Sequence, residues 1–212
     1  MTVWAAFPGP HRRPALDLPW PDAEYCVVDL ETTGLNLRRD DIVSYGAVLI
    51  RAGRVLVGTA TYGLVRPDRP VSPASIAVHG LRPSDLADAM SPDQAADHLL
   101  TLTTGRLLVA HAAWIETAFL GRAFRRRGRR LTSPVIDTLA LARAAGDPVT
   151  ATQREPSLES LARRLNLPVH TPHHALGDAL TTAQVLIVLA ARLGTGPPVT
   201  ARALVRLSRH QG

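Results

Sequence analysis

Apolar and polar positions change period several times along the chain, and each change marks an element. Tyr25 to Leu30 is an apolar, β-prone run broken by one carboxylate, which reads as a strand buried on both faces. DIVSYGAVLI (Asp41 to Ile50) and RVLVGTATYGLV (Arg54 to Val65) predict two more strands, joined by a tight hairpin at Ala52-Gly53. Ser72-Pro73 opens a short helix ending near Gly80, and Ser91-Pro92 opens another that runs to Thr104 and stops at Gly105. RLLVAH predicts a short buried strand ending at His111, followed by a helix over 113–127. Residues 134–138 (PVIDT) form a short strand entering a helix through Ala145, and 146–156 read as loop. Ser157 caps a helix that continues from Ser160 to Leu165, and a long helix from about His174 to Leu193 follows. A three-strand meander followed by strand–helix alternation predicts an α/β fold, a mixed sheet flanked by helices.

The flanks differ in composition. Residues 1–24 are proline-rich and predicted irregular, with Trp4 and Trp20 as anchors on the surface. Residues 194–212, beginning at the GTGPP break, predict a short basic amphipathic tail. The segment between, 25–193, is the single domain expected of a chain of 212 residues. No internal repeat is visible. The apolar runs read as too short to cross a membrane, no charged-then-apolar leader opens the chain, and the lone Cys26 cannot form a disulfide framework. The expectation is a cytoplasmic protein with no membrane partner.

Charge adds a partner class. The net charge is +6, and all 24 basic residues are arginine, which is a feature of codon usage more than of function. Six of them fall in the nine positions from Arg122 to Arg130. That run reads either as a solvated helix end or as a contact for a phosphate backbone.

The acids carry the chemistry. Asp29 and Glu31 alternate with apolar residues on one strand and therefore project to the same face. Two carboxylates about 6 Å apart repel by roughly 3 kcal/mol at an effective dielectric of about 20. Glu116 is followed at helical spacing by Phe119, Leu120, Ala123 and Phe124, and Asp178 sits on the stripe of Val185 and Leu189, so both face the core. Four inward carboxylates near element ends point to a divalent-metal site. His173, five residues before Asp178 and just after Pro172, lies on the loop leading into the last long helix, a mobile placement that suits a proton acceptor.

DLETTGL, AHAAWIETAFL and HHALGDA together resemble the three motifs of the DEDDh 3′–5′ exonuclease family, which includes the DNA polymerase III epsilon subunit. The resemblance covers about Glu24 to Leu193 and takes in IVSYGAVLI, the VHGL around His79, VIDTLALAR and SLESLARRL. It implies a ribonuclease H-like fold, two Mg²⁺ or Mn²⁺ ions, and release of nucleoside 5′-monophosphates from a nucleic acid 3′ end, single-stranded DNA being the expected substrate. On that resemblance Asp29, Glu31, Glu116 and Asp178 are the metal acids, with Glu31 shared by the catalytic set, and His173 is the base. Thr32, Thr33, Gly34 and His111 match the positions that bind substrate. A DNA polymerase or repair protein is the implied partner, weakened by the short stretch after Leu193.

The second motif departs from the family. Ala112 replaces its asparagine, Ile115 its phenylalanine, and Glu116 its aspartate. One added methylene moves a carboxylate by about 1.5 Å, where productive geometry tolerates about 0.5 Å. Glutamate keeps the charge, and a working site is the favoured reading. The rival is a degenerate exonuclease fold that binds nucleic acid or a polymerase without cutting.

Overall fold

A computed structural model describes residues 13–148, 156–194 and 199–209 of the chain. Strand β1 (Tyr25–Thr32) is apolar on both sides and takes the middle of a five-stranded sheet. Its antiparallel neighbour is β2 (Ile42–Arg51), which pairs in turn with β3 (Arg54–Leu64) through the predicted hairpin, where Ala52 and Gly53 both take positive φ. On its other side β4 (Leu107–Ala110) and β5 (Val135–Asp137) run parallel to it, so the order is β3-β2-β1-β4-β5. The expected mixed α/β sheet of ribonuclease H-like type is what the chain forms.

Side-chain alternation on β1 sorts the core into two layers. Tyr25 and Val27 belong to one cluster, Cys26, Val28 and Leu30 to the other. The second layer is closed by α3 (Pro92–Thr103) and α4 (Trp114–Arg126), through Leu99, Leu102, Phe119, Leu120 and Phe124. The first is closed by α5 (Thr138–Ala144), α6 (Leu158–Arg164) and α7 (Ala175–Leu193), which lies across β1 and β2. Two short helices, α1 (Pro73–His79) and α2 (Pro83–Leu86), form a small cluster with Val43 and Leu64 through Ile76 and Leu86, and α2 was not foreseen. The caps foreseen at Ser72, Ser91 and Ser157 are all made, Ser91 in a capping box with Gln94.

Two expectations change. Helix α7 has 19 residues and a mean hydropathy of 1.4, long and apolar enough by composition to span a membrane, which the apolar-run count had missed. More than half of it is buried in the protein, and its length serves to cross the sheet. The segment after residue 193 carries α8 (Ala201–Leu207), whose Ala201, Leu204 and Val205 enter the first core layer. The chain's start holds it there. Arg202 N–H donates to Leu16 O at 2.8 Å, Ala201 N–H to Leu18 O at 3.0 Å, and Trp20 N–H to Val199 O at 2.9 Å. Trp20 is buried and acts as the expected anchor, its carbonyl accepting the Tyr25 hydroxyl at 2.6 Å. Trp4, most of the 146–156 loop and the stretch 195–198 lie outside the described residues.

Candidate active site

Parallel pairing of β1 with β4 puts their carboxyl ends side by side, and the acids gather at that edge. Asp29 and Glu31 face the α7 layer, as their alternation requires, and a register shift between Glu31 and Thr32 ends the ladder beside them. Asp178 arrives from the first turn of α7. That helix approaches the sheet at Gly46, the residue paired with Asp29 across β1 and β2. A Cβ on Gly46 would lie 2.2 Å from Leu176 N, so only glycine lets α7 come this close. Ligand oxygens of Asp29, Glu31 and Asp178 consequently lie within 4.8 Å of one another.

Glu116 comes from the first turn of α4, immediately beyond β4, and is 3% exposed. It stands outside the tight group of three but within its field. Burial, then Glu116, Asp178 and Glu31, holds the Asp29 carboxyl well above the usual carboxylate range. Burial and Asp178 push Glu31 up to about 8. Burial, then Asp137 and Glu31, pushes Glu116 up to about 8 against a hydrogen bond from its own backbone. Asp178 rises to about 6, mainly by burial, with the His173 N–H opposing.

Among the described residues no arginine pairs with any of the four acids, and Glu116 Oε2 and Asp178 Oδ1 are buried without a hydrogen-bond partner. At 4.8 Å each ionised pair costs about 3 kcal/mol at an effective dielectric of about 20. A hard divalent cation with oxygen preference satisfies both the repulsion and the orphaned oxygens, so this donor set fits the metal that the motifs imply.

His173 sits at the lip. Its backbone takes φ +59°, and its N–H donates to Asp178 Oδ2 at 2.9 Å, which fixes the loop relative to the acid. The imidazole is about half exposed, with Nε2 3.7 Å from Glu159 Oε1 on α6. Glu159 is a residue the sequence reasoning passed over, inside SLESLARRL. Its pKa is lowered first by a hydrogen bond from Ser157, with His173 a further cause, so it stays ionised beside the ring. The next residue, His174, stacks on Tyr62 of β3 at 4.3 Å between centroids, which ties the histidine loop to the sheet.

The remaining predicted residues make contacts within the protein. Thr32 donates to Gly34 O at 2.7 Å, and Thr33 donates to Asp40 Oδ1 while accepting the Asp41 N–H at 3.0 Å. These hydroxyls build the turn after β1. A Cβ on Gly34 would meet Asp40 Oδ2 at 2.4 Å, so a larger residue there would displace the Asp40 side chain that braces the turn. His111 has both ring nitrogens taken, Nδ1 by Thr138 Oγ1 at 3.0 Å and Nε2 by Pro156 O at 3.2 Å. The ring thereby ties the 156 end of the loop to α5. Ala112 follows at φ +54°, a conformation costing a non-glycine residue about 1–3 kcal/mol, held by its N–H bond to Asp137 Oδ1 at 3.0 Å. Asp137 is the second missed residue. Its sequence signal was a helix cap, and its nearness to Glu116 had none.

Within the arginine run the two readings divide by residue. Arg122 donates to Leu37 O and Asp40 O, Arg126 lies 3.4 Å from Asp68, and Arg127 grips Asp97 at 2.8 Å and Asp93 at 3.1 Å. Arg125, Arg129 and Arg130 are exposed; Arg129 lies in the field of Asp97, and Arg125 and Arg130 have no carboxylate partner among the described residues.

Comparison with known proteins agrees with this geometry. Residues 26–186 match the sequence pattern of the exonuclease family. The chain belongs to that family. It is 35% identical over 168 residues to a DNA polymerase III subunit epsilon-like protein of Rhodobacter capsulatus, covering 78% of this chain and 23% of that protein. It is 34% identical over 167 residues to DNA polymerase III PolC-type of Thermotoga maritima, covering 78% of this chain and 12% of the relative. The chain thus spans less than a quarter of these curated relatives. Among solved structures, Exonuclease X in complex with 5′ overhanging duplex DNA superposes with a TM-score of 0.69 at 26% identity, over 87% of this chain and 99% of that one. Exonuclease I of E. coli in complex with a dT13 oligonucleotide shares the fold, with a TM-score of 0.70 at 16% identity over 80% of this chain and 41% of that one. The epsilon-like resemblance read from three motifs is borne out.

Proposed function

We propose that this chain is a divalent-metal-dependent 3′–5′ exonuclease that removes nucleoside 5′-monophosphates from single-stranded DNA. The observation that carries the reading is the set of four acids from three elements, two with orphaned buried oxygens, beside a histidine on a backbone-pinned loop. Asp29, Glu31 and Asp178 would hold the metal, with Glu116 at its edge. Mg²⁺ or Mn²⁺, two ions per site, would lower the pKa of water and neutralise charge on the phosphate.

The roles proposed for the protein's own residues are supported by their contacts. His173 accepts the attacking water's proton on its imidazole, and Glu159, ionised 3.7 Å from Nε2, stabilises the cation so formed. Asp178 positions that loop through the His173 N–H. The turn at Thr32–Gly34, braced by Asp40 and Asp41, supplies a rigid seat for the terminal nucleotide next to Glu31. The polymerase III relatives support a replication or repair partner, and the Exonuclease X complex supports DNA as substrate.

The test is digestion of labelled single-stranded DNA and RNA in Mg²⁺ or Mn²⁺, with free and blocked 3′ ends. Stepwise release of 5′-mononucleotides from free 3′ ends alone is expected. Equal cleavage of blocked ends would refute the polarity. Tight binding with no cleavage in either metal would favour the non-cutting module, for which the Glu116 and Ala112 departures speak.

A further inference from the structure

Helix α4 has two unlike faces. Glu116, Phe119, Leu120 and Phe124 are buried against the sheet. Trp114, Ala118, Gly121 and Arg125 recur at i, i+4, i+7 and i+11 and form the opposite face. Trp114, in the same first turn as Glu116, is 45% exposed although it is the largest apolar side chain of the helix. It lies two residues from Glu116 in the sequence, at the N-terminal end of the helix that follows β4, and packs into neither core layer.

Arg125 leans back toward it. A Cβ placed on Gly121 would meet only the Arg125 guanidinium, Nη1 at 3.5 Å, so that side chain reaches one turn toward the helix N-terminus. Gly121 itself is required by nothing beneath it, and in a helix interior glycine costs about 1 kcal/mol relative to alanine. Between Trp114 and the guanidinium over Gly121 the axial distance is about 10 Å, seven residues at about 1.5 Å each. Three nucleotides of a stacked strand, at about 3.4 Å per nucleotide, cover the same length. The low ridge of Ala118 and Gly121 leaves that path open.

We propose that the outward face of α4 is the track for the nucleic-acid strand just 5′ of the scissile end: a base stacks on Trp114, and a phosphate about three nucleotides further 5′ meets Arg125. The assignment rests on the exonuclease reading and extends it to how the strand is held. Stacking is indifferent to base identity, because every base has a π-face, so the track serves a sequence-independent enzyme. Arg125, which has no carboxylate partner among the described residues, the basic net charge and the place of Trp114 in the same helix turn as Glu116 select a polyanionic strand over an apolar partner.

The probe is a fluorescent oligothymidylate with a hydrolysis-resistant phosphorothioate at its 3′ linkages, followed by anisotropy in Mg²⁺. A matched strand carries abasic sites near its 3′ end. Trp114→Ala should weaken binding of the intact strand about tenfold and raise KM in parallel on a cleavable strand. Trp114→Phe should restore most of the affinity. On the abasic strand, wild type and Trp114→Ala should bind alike, a coincidence that a merely structural tryptophan would not produce. Arg125→Ala should flatten the slope of log affinity against log salt by about 0.7, one phosphate's worth for a single strand. Equal binding of the intact strand by wild type and Trp114→Ala overturns the track, as does an equal Trp114→Ala penalty on both strands or an unchanged salt slope for Arg125→Ala. Trp114→Gln repeats the test should the alanine protein unfold. Failure of the exonuclease reading is seen separately, as no mononucleotide release by the wild-type protein.

Discussion

Glu116→Gln should stabilise the metal-free protein while removing its activity. The substitution keeps the shape of the side chain and deletes a charge that burial, Asp137 and Glu31 all disfavour. Glu116 is 3% exposed, and its pKa rises from 4.5 to about 8 on folding. For a group raised in the folded state, stability is fully present below the unfolded pKa and is lost as pH climbs through the folded one. Wild-type protein therefore loses stability from this group between about pH 4.5 and 8, and the glutamine variant does not. At about 1.4 kcal/mol per unit, the ceiling on the difference is about 4–5 kcal/mol. Asp29 and Glu31 remain and still repel one another, and the glutamine amide must itself be desolvated. The expected gain is therefore about 2 kcal/mol at pH 9, shrinking toward zero at pH 5. Urea unfolding with a chelator at pH 5, 7 and 9 measures it. Adding Mg²⁺ should then favour the wild type, since cation binding relieves the same repulsion. A glutamine variant no more stable than wild type at pH 9, or an advantage independent of pH, would show that Glu116 is not held as a strained acid.

Asp29→Ala and Asp178→Ala should each abolish mononucleotide release, and either one retaining the wild-type rate, after removal of contaminating nuclease, would overturn the metal assignment. His173→Ala should lower kcat by about 10²- to 10⁴-fold while Mg²⁺ still raises the unfolding temperature, and loss of that Mg²⁺ effect would make His173 part of the cation site instead. Gly46→Ala should cost about 3 kcal/mol or more and reduce Mg²⁺ affinity, because a Cβ 2.2 Å from Leu176 N forces α7 off the sheet and carries Asp178 with it. Calorimetry and Mg²⁺ titration read both effects, and unchanged values would mean that α7 is not seated at Gly46.

Much of this protein is written locally. Alternation on β1 placed Asp29 and Glu31 on one face, helical spacing turned Glu116 inward, and serine and proline signals marked three helix starts, because each depends only on neighbours a few residues away. The three motifs carried the family for the same reason, as short runs whose spacing survives in sequence. What stayed hidden depends on residues far apart in the chain. Nothing near Gly46 says that α7 will press against it, nor does SLESL announce that Glu159 meets His173. Nor does the second motif say that Thr138 and Pro156 will meet the two ring nitrogens of His111. The run from Arg122 to Arg130 looks uniform in sequence, yet Asp68, Asp93 and Asp97 neutralise two of its members while Arg125 has no carboxylate partner among the described residues, since ion pairing follows distance in space. Periodicity sets which way a side chain points. Only the packing of the layers sets what it meets there.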